Sequence, residues 1–410
     1  MNNFFNRFFK GDIIIWGIIT MLAIISIIEV YSSTGTLAFK MQNGNTSYYV
    51  LRHTTFLLVG FVLIWVIHNM HYRKFGYLSI LFLPIAVLLL VVTLATGSSI
   101  NEASRWLTVP IIGISFQPSE VAKLVLIVFA ARKLSQNQSE EKPPKNAFRP
   151  IMIWTVIICG LIAPEDLSTA VLIGSIIMLM MFIGRVPTKY LLSVIGIALL
   201  LVLILVIAYP IFKEVDFLHR LTTWSERLRT FFLGIMGHAD KVSSDASYQS
   251  DQAKIAISSG GIFGEFFGNS RQSNYLPHPY SDFIYAIIVE EGGLLVGIFI
   301  ILLYIILLYR SIAAAVRCKT SFPLFLITGL TSALVLQAFA HIFVCVGILP
   351  VTGQTLPFVS MGNTSLLLTS LSFGMILSVT QYAVTPKDKK PADGFEPNEE
   401  MNEEIYKEGL

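Results

Sequence analysis

YLPHPYSDFIYAIIVEEGGLLVGIFIILLYIILLY, Tyr275 to Tyr309, opens on two prolines and then runs apolar from Phe283 to Tyr309, carrying Glu290 and Glu291 inside the run. At about 1.5 Å of rise per residue, such a run is long enough to cross the ~30 Å hydrocarbon core of a bilayer as one helix. A carboxylate facing lipid at the midplane costs roughly 2.5 to 3.5 kcal/mol. Both glutamates are therefore expected to face the interior of a bundle, which requires further helices around this one.

The rest of the chain supplies them. Hydrophobic residues make up 54% of the 410, charged residues 13%, and the mean hydropathy is +0.69. Soluble domains carry about 25% charged residues, so this is the composition of an integral membrane protein. Nine other apolar runs accompany Phe283 to Tyr309: Ile13 to Tyr31, Phe56 to Met70, Tyr77 to Thr96, Ala122 to Ala131, Ile151 to Ala163, Ala170 to Ile183, Tyr190 to Ile211, Phe322 to Leu349 and Leu366 to Val384. The expected fold is an all-α integral membrane protein of about ten transmembrane helices. Its expected parts are a cytoplasmic N-terminus (1–10), a polytopic membrane domain (11–384) and a polar cytoplasmic tail (385–410) that composition marks as disordered. The first run exceeds the apolar length of a signal peptide and reads as a retained anchor.

Basic residues orient the bundle. Arg73, Lys74, Arg132, Lys133, Lys142, Lys145, Arg149, Arg185, Lys189, Arg310, Arg317 and Lys319 fall in connections on one side, and only Lys40, Arg52 and Arg105 in the short loops on the other. The positive-inside rule makes the first side, and both termini, cytoplasmic. One large extracytoplasmic loop, about 212–281, then lies between helices 7 and 8. The formal charge of +3 is spread over the cytoplasmic connections, which suits an anionic inner leaflet and not nucleic acid. Cys159, Cys318 and Cys345 form neither a disulfide framework nor a CxxC metal pattern.

Four polar stretches gather on the exterior side under this orientation. Asn101 to Lys123 supplies Arg105, Trp106, Glu120 and Lys123, and the last two, three residues apart on a helix, share a face and can pair. Pro164 to Ala170 places Glu165 and Asp166 at a helix entry, where Asp166 suits an N-cap. The segment around Arg220, Trp224, Arg227 and Arg229 suits a helix in the headgroup plane. The fourth joins glycines 260, 261, 264 and 268 to Arg271, Ser281 and Asp282. Asp282 stands where a helix N-cap belongs. Glu290, about 12 Å further along a straight helix, can line the same cavity, and Glu291 is directed to another face and an internal partner. Gln337 and His341, four apart, are expected to make hydrogen bonds between helices.

Four ordered motifs, SRWLTVPIIGISFQPSEVAK, PEDLSTAVL, the block from GGIFG through YLPHPYSDFIYAIIVEEGGLLVG, and LPVTGQTLPFVSMGNTSLL, resemble the SEDS family (shape, elongation, division and sporulation) of polytopic membrane glycosyltransferases. The resemblance covers Gly11 to about Val384. It implies polymerisation of lipid II into glycan strands on the outer face of the cytoplasmic membrane, and the TGQTLPFVS stretch is more similar to the division members than to the elongation members. The family's TDF motif appears as Ser281, Asp282 and Phe283, its tryptophan as Trp106 beside Arg105, and its QPSExxK acid and base as Glu120 and Lys123. This chain departs from the pattern at Leu276–Tyr280, LPHPY in place of LPE, a small residue and His. It departs again at Glu265 and Phe266, where a GxG with a basic residue is usual.

The chemistry this implies needs a base for an acceptor hydroxyl and positive charge for a departing diphosphate. Asp282 is the expected catalytic base. Arg105 and Lys123 are the expected diphosphate contacts, Trp106 the sugar or prenyl contact, and Glu120 and Asp166 the groups that orient those cations; Ser281 and Glu290 complete the expected substrate-binding set. A divalent cation, Mg²⁺ or Mn²⁺, is a candidate to share the phosphate charge, although no metal-ligand spacing identifies a site and no cofactor is otherwise implied. The implied partners are lipid II, a class B penicillin-binding protein as transpeptidase, and other membrane proteins of the division complex. Two readings of other classes compete: a flippase moving lipid II without chemistry, and a recruitment scaffold.

Overall fold

A computed structural model describes residues 9–42, 44–96, 98–100, 103–109, 114–138, 145–212 and 245–383. The Arg220–Arg229 segment and the tail after 383 lie outside them. Each apolar run of the sequence falls on a helix: α1 (Ile13–Ser33), α3 (Thr46–His68), α4 (Arg73–Thr96), α5 (Pro118–Gln136), α6 (Lys145–Ile162), α7 (Leu167–Ile183), α8 (Thr188–Phe212), α10 (Ile284–Val316), α11 (Ser321–Cys345) and α12 (Asn363–Ala383). Two polar helices complete the set, α2 (Gly35–Gln42) and α9 (Asp245–Gly260). Among the described residues, six helices (α1, α3, α4, α10, α11 and α12) are long and apolar enough to cross a membrane, and α6, α7 and the described part of α8 are shorter apolar helices.

The all-α expectation needs one correction. Residues 98–116 form a small antiparallel sheet in the order β1 (Ser98–Ile100), β2 (Ala103–Val109), β3 (Ile114–Phe116), with Ser98 opposite Trp106 and Thr108 opposite Ser115. The signal was present: Trp106, Leu107, Thr108, Val109 and Ile114 favour strands, and Pro110 and Gly113 are residue types that punctuate strands. Beside a membrane, pairing extended backbone satisfies N–H and C=O groups that water reaches poorly.

α11 is the central element, buried along most of its length against α5, α7, α10 and α12. α1 runs beside α10, and its start is fixed there: Asp12 caps Ile14 N at 2.9 Å, and Arg310, near the far end of α10, donates to Asp12 Oδ2 at 2.9 and 2.6 Å. α10 is interrupted at Gly293, whose φ of 73° and ψ of 179° are not helical. A side chain at 293 would also strike Ile262 O at 2.2 Å, so both the backbone angle and the close approach of the segment before α10 demand glycine.

Candidate functional site

Asp282 does not cap α10. Phe283 holds the N-cap position and makes no side-chain cap bond, so the aspartate precedes the helix as a half-buried residue. Ser281 Oγ donates to Asp282 Oδ1 at 2.9 Å, and Gly353 faces the other oxygen, since a Cβ built there would lie 3.6 Å from Oδ2. Just upstream, His278 Nδ1 lies 3.3 Å from the Tyr280 hydroxyl. Burial, followed by the charge of Asp282 and then Tyr49, raises the pKa of the Tyr280 phenol above its ordinary value.

The connection between α11 and α12 holds this end of the bundle together. Ser360 Oγ donates to Ser281 O at 2.8 Å, and Met361 N to Tyr280 O at 2.9 Å. In the same connection, Gln354 Nε2 donates to Thr169 Oγ1 at 2.8 Å, and Gln354 O lies 2.7 Å from His341 Nδ1. Gln337 Nε2 donates to Thr355 O at 3.0 Å. The expectation that Gln337 and His341 make interhelical bonds is met, since Gln337 also accepts from Lys123 at 2.8 Å and His341 Nε2 accepts from Tyr285 N at 3.4 Å. Sequence reasoning gave no role to Gln354, Thr355 or Ser360, although they lie inside a motif that it singled out. Their polarity within an otherwise apolar loop was the available signal.

Glu120 and Lys123 pair as their spacing predicts, 2.7 Å apart and 8% and 9% exposed. Two of the three ammonium donors of Lys123 are thus engaged, by Glu120 and by Gln337. The first turns of α5 line two hollows. One lies beside Glu120, Lys123 and Gln337 and continues over Leu334, Leu368 and Thr369. The other is bordered by Gln117, Ser119, Glu165 and Asp166 with Leu90 and Leu161. Asp166 is the N-cap of α7, accepting from Thr169 N at 3.0 Å, and Thr169 is the residue whose hydroxyl holds Gln354. Trp106 is half-buried on β2; Arg105 lies on the same strand, and its side chain falls outside the described residues.

Glu290 is placed elsewhere than expected. It is 1% exposed, and instead of lining a cavity with Asp282 it accepts from Ser270 Oγ at 2.5 Å, Arg271 N at 3.0 Å and Gln272 N at 3.2 Å. Glu291 finds internal partners as predicted, accepting from Ser32 Oγ on α1 and from Ser270 N at 3.2 Å. The glycines between α9 and α10 have a related purpose. A Cβ at Gly260 would come within 2.0 Å of Val289 O, and one at Gly264, where φ is +80°, within 2.1 Å of Glu291 O, so these residues let loop and helix backbones touch. Gly264→Ala is expected to cost roughly 1–3 kcal/mol in backbone strain and to speed tryptic cleavage after Arg271; unchanged cleavage would show that the loop does not depend on this contact.

The geometry thus joins Asp282, Asp166 and the Lys123–Glu120 pair through one connection, and assigns Glu290 to loop anchoring. Among the described residues no three His, Cys, Asp or Glu side chains come together to hold a metal ion.

Comparison with known proteins identifies the family. A family model described as "Cell cycle protein", covering FtsW, RodA and SpoVE, matches residues 12–385. The chain is 31% identical over 373 residues to the probable peptidoglycan glycosyltransferase FtsW of Geobacter sp. (strain M18), covering 90% of this chain and 96% of that protein. It is 30% identical over 379 residues to stage V sporulation protein E of Bacillus subtilis (strain 168), covering 91% and 97%. Among solved structures, a chain from a peptidoglycan synthase complex that coordinates polymerization and crosslinking superposes with a TM-score of 0.69 at 24% identity, covering 90% of this chain and 97% of that one. The rod shape determining protein RodA of Thermus thermophilus superposes with a TM-score of 0.63 at 21% identity, covering 92% and 98%. With its four motifs in order and a match running nearly end to end, this chain belongs to the FtsW, RodA and SpoVE family, the SEDS proteins.

Proposed function

We propose that this chain is a peptidoglycan glycosyltransferase of the FtsW type, polymerising lipid II into β-1,4 glycan strands for septal wall synthesis. The observation that carries the reading is the position of Asp282: a half-buried residue ahead of the N-cap of α10, steadied by Ser281 and facing a glycine. Asp282 takes the proton of the GlcNAc 4-hydroxyl as that oxygen attacks the anomeric carbon of the MurNAc on a second substrate. The C–O bond to the diphosphate breaks, the bonding pair leaves with undecaprenyl diphosphate, and the anomeric centre inverts. A good leaving group makes a separate general acid unnecessary.

Lys123 and Arg105 are the groups for the developing phosphate charge, and Glu120 and Asp166 set their surroundings. Trp106, half-buried on β2, packs on sugar or prenyl chain. A divalent cation, Mg²⁺ or Mn²⁺, would add charge compensation carried by the diphosphate itself. Ser281 orients the base, while Glu290 acts through the loop it anchors. The ten helices are read as ten spans with both termini cytoplasmic, which puts Asp282 at the outer face. The coupling of polymerization to crosslinking in the synthase complex supports a class B penicillin-binding protein as the partner of this chain, and lipid II is the substrate that the glycosyltransferase reading requires.

The test is polymerisation of labelled lipid II by the purified chain with its transpeptidase. Glycan strands formed by wild type are the expected result, and scrambling of lipid II across vesicles without polymer would establish the flippase instead. Trp106→Ala is expected to abolish polymerisation while inserting normally into membranes; an unchanged rate would assign Trp106 to interface anchoring alone.

A further inference from the structure

The segment Ile262–Phe267 (IFGEFF) is the part of the exterior loop that the proposed chemistry leaves unused. Phe263 and Phe266 are 77% and 76% exposed, and Ile262 and Phe267 are exposed with them. Such a density of open aromatic side chains on a short loop marks an interaction surface. Phe266 also holds a φ of +66°, a left-handed conformation that a bulky side chain adopts only when its surroundings enforce it.

The backbone shows where this surface lies. Leu294 N donates to Gly261 O at 3.0 Å, Leu295 N to Ile262 O at 3.4 Å, and Glu265 N to Glu290 O at 3.0 Å. The loop is therefore laid against α10 at the Gly293 break, where the outward face of the helix begins. From that point Leu294, Leu295, Ile298, Leu302 and Ile305 are exposed along the spanning part of α10. The four apolar side chains of the loop continue this lipid-facing surface at its Asp282 end.

Irregular backbone at such a depth is tolerated only when protein groups satisfy its N–H and C=O. The two glutamates of α10 do this. Glu290 and Glu291 together receive the N–H groups of Ser270, Arg271 and Gln272, on the inward side of the loop. On the outward side Arg271 is 79% exposed at its side chain and 3.4 Å from Glu265, placed to reach a headgroup phosphate as long basic side chains at membrane surfaces do.

We propose that Ile262–Phe267 is a membrane-inserted wedge, its phenylalanines lodged among lipid acyl chains of the leaflet at the Asp282 end of the bundle, with Glu290 and Glu291 as its internal anchors. The wedge does not depend on the glycosyltransferase reading, because it requires only a lipid bilayer.

Photolabelling of the unmodified full chain in phosphatidylethanolamine–phosphatidylglycerol vesicles tests this. One preparation contains a phosphatidylcholine with a diazirine on its acyl chain, and the other carries the diazirine on its headgroup. Trypsin cuts after Lys254, Arg271 and Arg310, so the loop is released in residues 255–271 and the lipid-facing start of α10 in 272–310. Acyl-chain adducts at Phe263, Phe266 or Phe267, at a yield within about threefold of that at Leu294–Ile305, are the expected result. Adducts from the headgroup probe alone, or none in 255–271 while 272–310 is labelled, would overturn the proposal. In Phe263→Asp/Phe266→Asp the acyl-chain adducts of 255–271 are expected to fall at least fivefold relative to those of 272–310. A loop labelled equally in wild type and variant would also overturn it.

Discussion

Asp282→Asn will reduce polymerisation of lipid II by roughly 10²- to 10⁴-fold, the range that a positioned general base contributes. Asp282→Ala will do the same. The asparagine keeps the size of the side chain and can still accept from Ser281 Oγ, but it cannot take a proton. Stability should change little in either variant, because Asp282 is not fully buried and Phe283, not Asp282, occupies the cap of α10. Glycan yield from labelled substrate and thermal unfolding in detergent measure the two quantities separately. Wild-type yield from both variants would remove Asp282 from the chemistry. Loss of folding together with activity would return it to a structural role.

The second large effect concerns the Lys123–Glu120 pair. Lys123→Met leaves the Glu120 carboxylate buried beside Leu124 and Leu334 without its cation, and removing one partner of a buried ion pair costs roughly 3–5 kcal/mol. Gln337 loses a donor at the same time. Adding Glu120→Gln to Lys123→Met removes the orphaned charge and is expected to recover most of the stability. It is not expected to recover polymerisation, because the positive charge assigned to the diphosphate is still missing. Equal unfolding temperatures for the single variant and wild type would show that the pair contributes nothing to stability. A fully active double variant would show that Lys123 does not serve the substrate.

Local pattern carried much of the architecture. Apolar runs identified the helices because a chain in lipid has few other ways to satisfy its backbone, and spacing alone paired Glu120 with Lys123 and set Gln337 beside His341. Asp166 was legible as a cap, since its type and place before α7 define one. The sheet at 98–116 was passed over because its strands are short and stand in a connection, where apolar periodicity has too little length to register.

What the sequence determined by itself is therefore local: which segments are helical, which polar residues are too costly to face lipid, and which motifs lie in family order. The tertiary structure alone decided the partners. Asp282 and Glu290 are both acids near the start of α10, and no helical periodicity distinguishes a carboxylate facing Gly353 from one enclosed by the amides of Arg271 and Gln272. That difference depends on the α9–α10 segment and the α11–α12 connection each returning to α10. Contacts between segments so far apart along the chain are set by packing of the whole chain, which no single stretch of residues encodes.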